Sequence, residues 1–175
     1  LILLLAMIII LVYIVMASQF ESFMSPFVIM FSIPFAFVGV LMGLYVTGTP
    51  LGAMGMIGIL ILMGIVVKNG IVLIDYTILM RERGHSVTEA STIAANSRLR
   101  PILMTTLTTV LGMIPMAVGQ GEGSEMWRSL GMVVAWGLSI STLVTLVIIP
   151  TLYAAMASWQ ERRAARKAAR KAAKA

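Results

Sequence analysis

A lysine and an asparagine, Lys68 and Asn69, stand side by side inside the apolar run LGAMGMIGILILMGIVVKNGIVLIDYTILM. A charge at the centre of a membrane span costs at least about 2.5–3.5 kcal/mol on insertion scales. Reaching the interface does not relieve that cost. From Lys68 to Leu79 a helix rises about 16 Å, whereas a lysine side chain snorkels over only about 6 Å. Lys68 therefore calls for a counter-charge or a water-filled cavity, and Asn69 adds donors and an acceptor with the same need. Asp75 lies on nearly the same helix face but about 10 Å further along the axis. That is too far for a direct pair, so Asp75 reads as a marker of the membrane edge near Arg81 or Arg98. Two readings of Lys68 stand. It either ties helices together in a buried salt bridge or takes part in moving ions or protons.

The run RLRPILMTTLTT supplies candidate neighbours. Thr105, Thr108 and Thr109 share a helix face at spacings of three and four, although membrane threonines often bond their own backbone. Arg98 and Arg100 flank the start of this run. The acids lie elsewhere: Glu21, Glu82, Glu89, Glu122, Glu125 and Glu161 all fall in loops or at ends. No carboxylate is expected at the depth of Lys68, so a counter-charge, if there is one, lies outside this chain.

Composition narrows the class. The 175 residues are 59% hydrophobic and 11% charged, whereas soluble domains carry about 25% charged residues. An all-α membrane protein follows. There is no cysteine and one histidine, His85, in the most polar stretch. Thiolate metal sites, cysteine nucleophiles and histidine-rich metal clusters are excluded. A membrane-embedded protease or lipid transferase would need a dyad or metal cluster within the spans, and no paired acids occur there. The chain therefore reads as a non-enzyme with no metal and no cofactor.

Positioning these residues takes five spans of roughly 20 apolar residues, at about 1–19, 26–47, 51–79, 101–118 and 128–157. Together they form a helix bundle over 1–158, with a connecting stretch at 81–100 and a basic tail at 159–175. In SVTEASTIAANSRLR, Ser86 is an N-cap with Glu89 three residues on, a capping box. It predicts a short helix along the cytoplasmic surface. Gly39 and Gly43 form a G-x-x-x-G pair suited to close helix contact, a theme continued by Gly52, Gly55 and Gly58. Eleven of the 13 Lys and Arg residues fall in 81–100 and in the tail, and none in the turns 48–51 and 119–127. The positive-inside rule then puts the connecting stretch and the C-terminus in the cytoplasm. The alanine-rich basic tail suits anionic lipid or solvent; without interleaved aromatics it does not read as a nucleic-acid binder. The chain starts within an apolar run at Leu1, without a charged leader, which reads as a fragment.

The segments YIVMASQFESFMSPFVIMFSIPFAFVGVLMGL, GIVVKNGIVLIDY, NSRLRPILMTTLTTVLGMIPMAVGQGEGSE and IIPTLY resemble the last five membrane helices of resistance–nodulation–division efflux pumps, most nearly the hydrophobe/amphiphile exporters of the acriflavine-resistance type. The likeness covers residues 1 to about 157. It implies the C-terminal half of a transmembrane bundle in a bacterial inner-membrane antiporter that exchanges protons for drugs. It also implies a proton relay in which Lys68, Arg98 and Thr105 face two aspartates supplied by the N-terminal half, with Asn69 and Thr109 in support. The intact pump would be a homotrimer working with a periplasmic adaptor and an outer-membrane channel. A lipid- or protein-exporting member of the superfamily and a non-transporting scaffold are the alternatives.

Overall fold

The computed structural model describes residues 2–20, 24–119, 121 and 123–172. Glu21 and Glu122, which the sequence places in loops, and the tail residue Lys174 lie outside the described residues. Six helices follow one another: α1 (Ile2–Phe20), α2 (Met24–Met30), α3 (Ser32–Thr47), α4 (Ala53–Glu82), α5 (Val87–Val118) and α6 (Ser124–Ala172). No strand occurs among the described residues. α4, α5, residues Ser124–Arg163 of α6, and α2 with α3 taken together are long and apolar enough to cross a membrane; Ala6–Phe20 in α1 is a shorter apolar helix.

The elements differ from the sequence reading in three places, each with a local cause. The expected span 26–47 is divided at Phe31, whose N–H still reaches the Phe27 carbonyl at 3.2 Å. Pro34, three residues on, has no N–H to offer the Met30 carbonyl, so the helix is interrupted there. The second difference is in the connecting stretch. The capping box forms as read: Glu89 N–H donates to Ser86 Oγ, and Ser86 N–H donates to the Glu89 carboxylate. The helix it starts does not stop at the surface, however, but continues through Pro101 to Val118. The surface helix and the fourth span are one helix, because the proline removes a single hydrogen bond from an otherwise strongly helical sequence. Third, the tail continues α6 without a break to Ala172, since its alanine, arginine and lysine residues favour helix.

α6 is the axis of the bundle and packs against α2, α3, α4 and α5. Small residues set the approach. A β-carbon on Gly39 would meet Gly137 and Ile140 of α6, and one on Gly43 would meet the Trp136 side chain. The G-x-x-x-G pair is thus a helix–helix contact, as the spacing suggested. α4 runs alongside α6 in the same direction, with Gly55 against Ser129, Gly58 against Val133 and Gly70 against Ile149. α5 runs the opposite way, with Ala117 against Gly131 and Thr106 against Thr142. α3 closes at Gly48, whose φ of 61° is left-handed and whose N–H reaches Tyr45 O at 3.4 Å.

Two apolar clusters stack along the bundle. One gathers Ala36, Val40, Ile59, Leu62, Val66, Val133 and Leu138. The other gathers Met16, Ile29, Leu73, Ile74, Ile149 and Tyr153, among others. On α4, Val66, Val67 and Gly70 turn into these clusters while Lys68 stays on the outer side. The same alternation that builds the core therefore presents the lysine away from it.

Candidate functional site

Lys68 is exposed, on a ridge between two grooves. The first, about 340 Å³, lies between α4 and α5 and is lined by Lys68 and Asn69 with Thr105, Thr106 and Thr109; Pro101, Ile102 and Leu138 help to close it. The second, about 320 Å³, lies between α4 and α1 and is apolar except for the lysine. Lys68 thus separates a hydroxyl-rich groove from a greasy one.

The antiparallel course of α4 and α5 brings four of the five expected residues together: Lys68, Asn69, Thr105 and Thr109. The threonines are already anchored. Thr105 Oγ1 donates to the carbonyls of Pro101 and Ile102 at 3.1 and 2.9 Å, and Thr109 Oγ1 donates to Thr105 O at 2.8 Å. Their hydroxyl protons go to their own helix, and their oxygen lone pairs remain to accept.

Arg98 stands apart from the groove. Its guanidinium carbon lies 4.7 Å from the centre of the Tyr76 ring, a cation–π stack. Its Nε is buried without a hydrogen-bond partner among the described residues. Arg98 and Thr105 sit seven residues apart on α5, on one face but about 10 Å apart along the axis, so they occupy different levels. Asp75 joins neither candidate partner. Arg81 pairs instead with Glu161 at 2.7 Å, the one ion pair among the described residues, because the long α6 carries Glu161 across to the end of α4. Lys68 has no carboxylate partner among the described residues.

Thr106 is the member of the groove that sequence reading missed. It is 7% exposed and shares a 3.1 Å hydrogen bond with Thr142 of α6. The spacing of Thr105, Thr108 and Thr109 drew attention to one face of α5. The neighbouring face, turned toward α6, became visible only with the position of α6.

Residues 1–157 match the AcrB/AcrD/AcrF family. The chain belongs to this family of resistance–nodulation–division efflux transporters. As a family member built of apolar helices it is a multi-pass membrane protein. It is 44% identical over 153 residues to the swarming motility protein SwrC of Bacillus subtilis, covering 87% of this chain and 14% of that protein. It is 41% identical over 143 residues to the multidrug resistance protein MdtC of Erwinia tasmaniensis, covering 81% and 14%. It is 37% identical over 143 residues to the cobalt-zinc-cadmium resistance protein CzcA of Cupriavidus metallidurans, covering 82% and 14%. The crystal structure of a heavy metal efflux pump superposes with a TM-score of 0.80 at 33% identity, over 89% of this chain and 15% of that one. The chain thus spans about 14% of the length of these relatives.

Proposed function

We propose that this segment carries the C-terminal half of the coupling site of a proton-driven efflux transporter of the bacterial inner membrane. One observation supports the reading above the others: a lysine at membrane depth on an open hydroxyl-lined groove, without a carboxylate partner among the described residues. Such a group is half of an ion-pair site. The other half is a pair of aspartates on a helix of the N-terminal half of the pump. With the aspartates ionised, Lys68 is held across the groove. Protonation weakens that attraction and frees Lys68 to reorient toward Asn69, Thr105 or water. Each protonation event then biases the packing of α4 against α5, and the rest of the pump converts that bias into drug export. Arg98, one level further along α5, tunes the field of the site or guides protons toward it. The intact pump works as a homotrimer with a periplasmic adaptor and an outer-membrane channel.

The cargo is a drug-like amphiphile, a reading supported by the likeness to MdtC. The likeness to a heavy metal efflux pump favours a second reading, export of metal cations by the same coupling site. Lys68→Met in the complete pump tests both. Cells expressing it are expected to lose resistance to dyes and detergents while the protein inserts in normal amount. Wild-type resistance in the Lys68→Met strain overturns the coupling role. Loss of resistance to cobalt, zinc and cadmium alone, with dyes unaffected, selects the metal reading.

A further inference from the structure

Most serines and threonines in these helices satisfy themselves. Ser139, Thr151 and Ser158 on α6 return their hydroxyls to carbonyls three or four residues back, as do Thr105, Thr108 and Thr109 on α5. One cluster on α6 departs from this habit. Thr142, 2% exposed, bonds across the helix interface to Thr106. Ser141 and Thr145 flank it, each 1% exposed, and neither hydroxyl has a hydrogen-bond partner among the described residues. Thr106 in turn lines the groove that holds Lys68 and Asn69. Thr106 thus lines the groove on one side and bonds into the centre of α6 on the other.

We infer that Thr142 is a positioning residue for the coupling site, fixing through Thr106 the setting of α5 opposite Lys68. This inference rests on the proton-coupling reading of the groove. The bond is buried and joins two helices, so it resists rotation of α5 in a way that a hydroxyl bonded to its own backbone does not. Among the described residues, Lys68 is the one charged group lining the groove. α5 presents Pro101, Ile102 and threonine hydroxyls to it, and α6 presents Leu138. Thr142 therefore acts on the lysine's surroundings through geometry and not through charge.

The test uses the complete pump carrying this segment, reconstituted in liposomes. Proton-coupled dye export is measured against pH and normalised to folded protein. Thr142→Val is expected to slow export about 3- to 10-fold, the worth of one net hydrogen bond, and to displace the pH profile. Thr142→Ser, which keeps the hydroxyl, is expected to restore both. Thr106→Val with Thr142→Val should be no worse than Thr142→Val alone, because the two act through one bond. An unchanged pH profile in Thr142→Val overturns the inference, whether or not the rate or yield falls, since a purely structural bond gives that result. A double variant with additive losses also overturns it. Lys68→Met is read in parallel. If it exports like wild type, the coupling reading has failed; if it is silent while Thr142→Val matches wild type, only the positioning role has failed.

Discussion

Gly43 of α3 lies directly beneath the side chain of Trp136 on α6, leaving no space for a β-carbon. The indole covers the helix backbone itself, which lets α3 approach the central helix more closely than side chains would allow. The atoms it presents are Cβ, Cγ and Cδ1, and because Cβ is fixed to the α6 backbone a rotation of the ring does not clear the clash.

Gly43→Ala is therefore expected to destabilise the bundle by about 1–3 kcal/mol through overpacking. Gly112→Ala is the control. Nothing lies within 4 Å of its β-carbon position, and alanine there should stabilise α5 by about 0.5–1 kcal/mol. Thermal unfolding of the two variants in detergent separates them by sign. Equal shifts would mean that the Gly43–Trp136 contact does not set the packing.

Topology is tested by single cysteines, and the chain has no native cysteine to confuse the result. Arg83→Cys lies beyond the end of α4, and Leu51→Cys lies in the turn before its start; both positions are exposed. A membrane-impermeant thiol reagent added to sealed cells should label Leu51→Cys and spare Arg83→Cys. Labelling in the opposite sense would reverse the orientation drawn from the basic residues.

In the isolated chain, Lys68→Met should leave stability unchanged within about 0.5 kcal/mol or raise it, as expected for an exposed position without a partner. The same substitution is expected to stop export in the complete pump. A loss of more than about 1 kcal/mol in the isolated chain would show that Lys68 has a partner among these 175 residues, contrary to the half-site reading.

Removal of the N-cap by Ser86→Ala should cost about 1 kcal/mol, whereas Ser86→Asp should be nearly silent because aspartate also accepts from the N3 N–H. Hydrogen exchange at the amides of Thr88, Glu89 and Ala90 reads the effect locally. Faster exchange there in Ser86→Ala, with the amides around Thr106 unchanged, is the expected pattern. Unchanged exchange at Glu89 would contradict the capping box.

The parts of the structure legible in the sequence are those fixed by local chemistry. Apolar length marked the spans, Ser86 and Glu89 marked a helix start, and the spacing of Gly39 and Gly43 marked a contact face. What stayed hidden depends on how the helices are set against one another. The Thr106–Thr142 bond joins residues 36 positions apart, and no periodicity within α5 announces it. Arg98 was read by its distance from Thr105, yet the neighbour that holds it is Tyr76, chosen by the register of α4 against α5. Arg81 likewise bonds with Glu161, 80 residues away, because α6 continues past the apolar region. The division at Phe31 was legible in principle, since Pro34 withholds its hydrogen bond from one specific carbonyl.

The unbroken course of α5 has a mechanical consequence. Its 32 residues extend about 48 Å at 1.5 Å per residue, well beyond a hydrocarbon core about 30 Å thick. The helix is a lever with Thr105 and Thr106 near one arm and the Ser86 cap at the far tip, about 28 Å away. A tilt of about 5° at the groove would swing that tip by roughly 2 Å, the scale of helix shifts that switch packed interfaces. Pro101 lies beside the groove and leaves the Ser97 carbonyl without an N–H to hold it, which puts the pivot of the lever at its groove end. Events at Lys68 would then be felt at the membrane surface as a displacement of the α4–α5 turn.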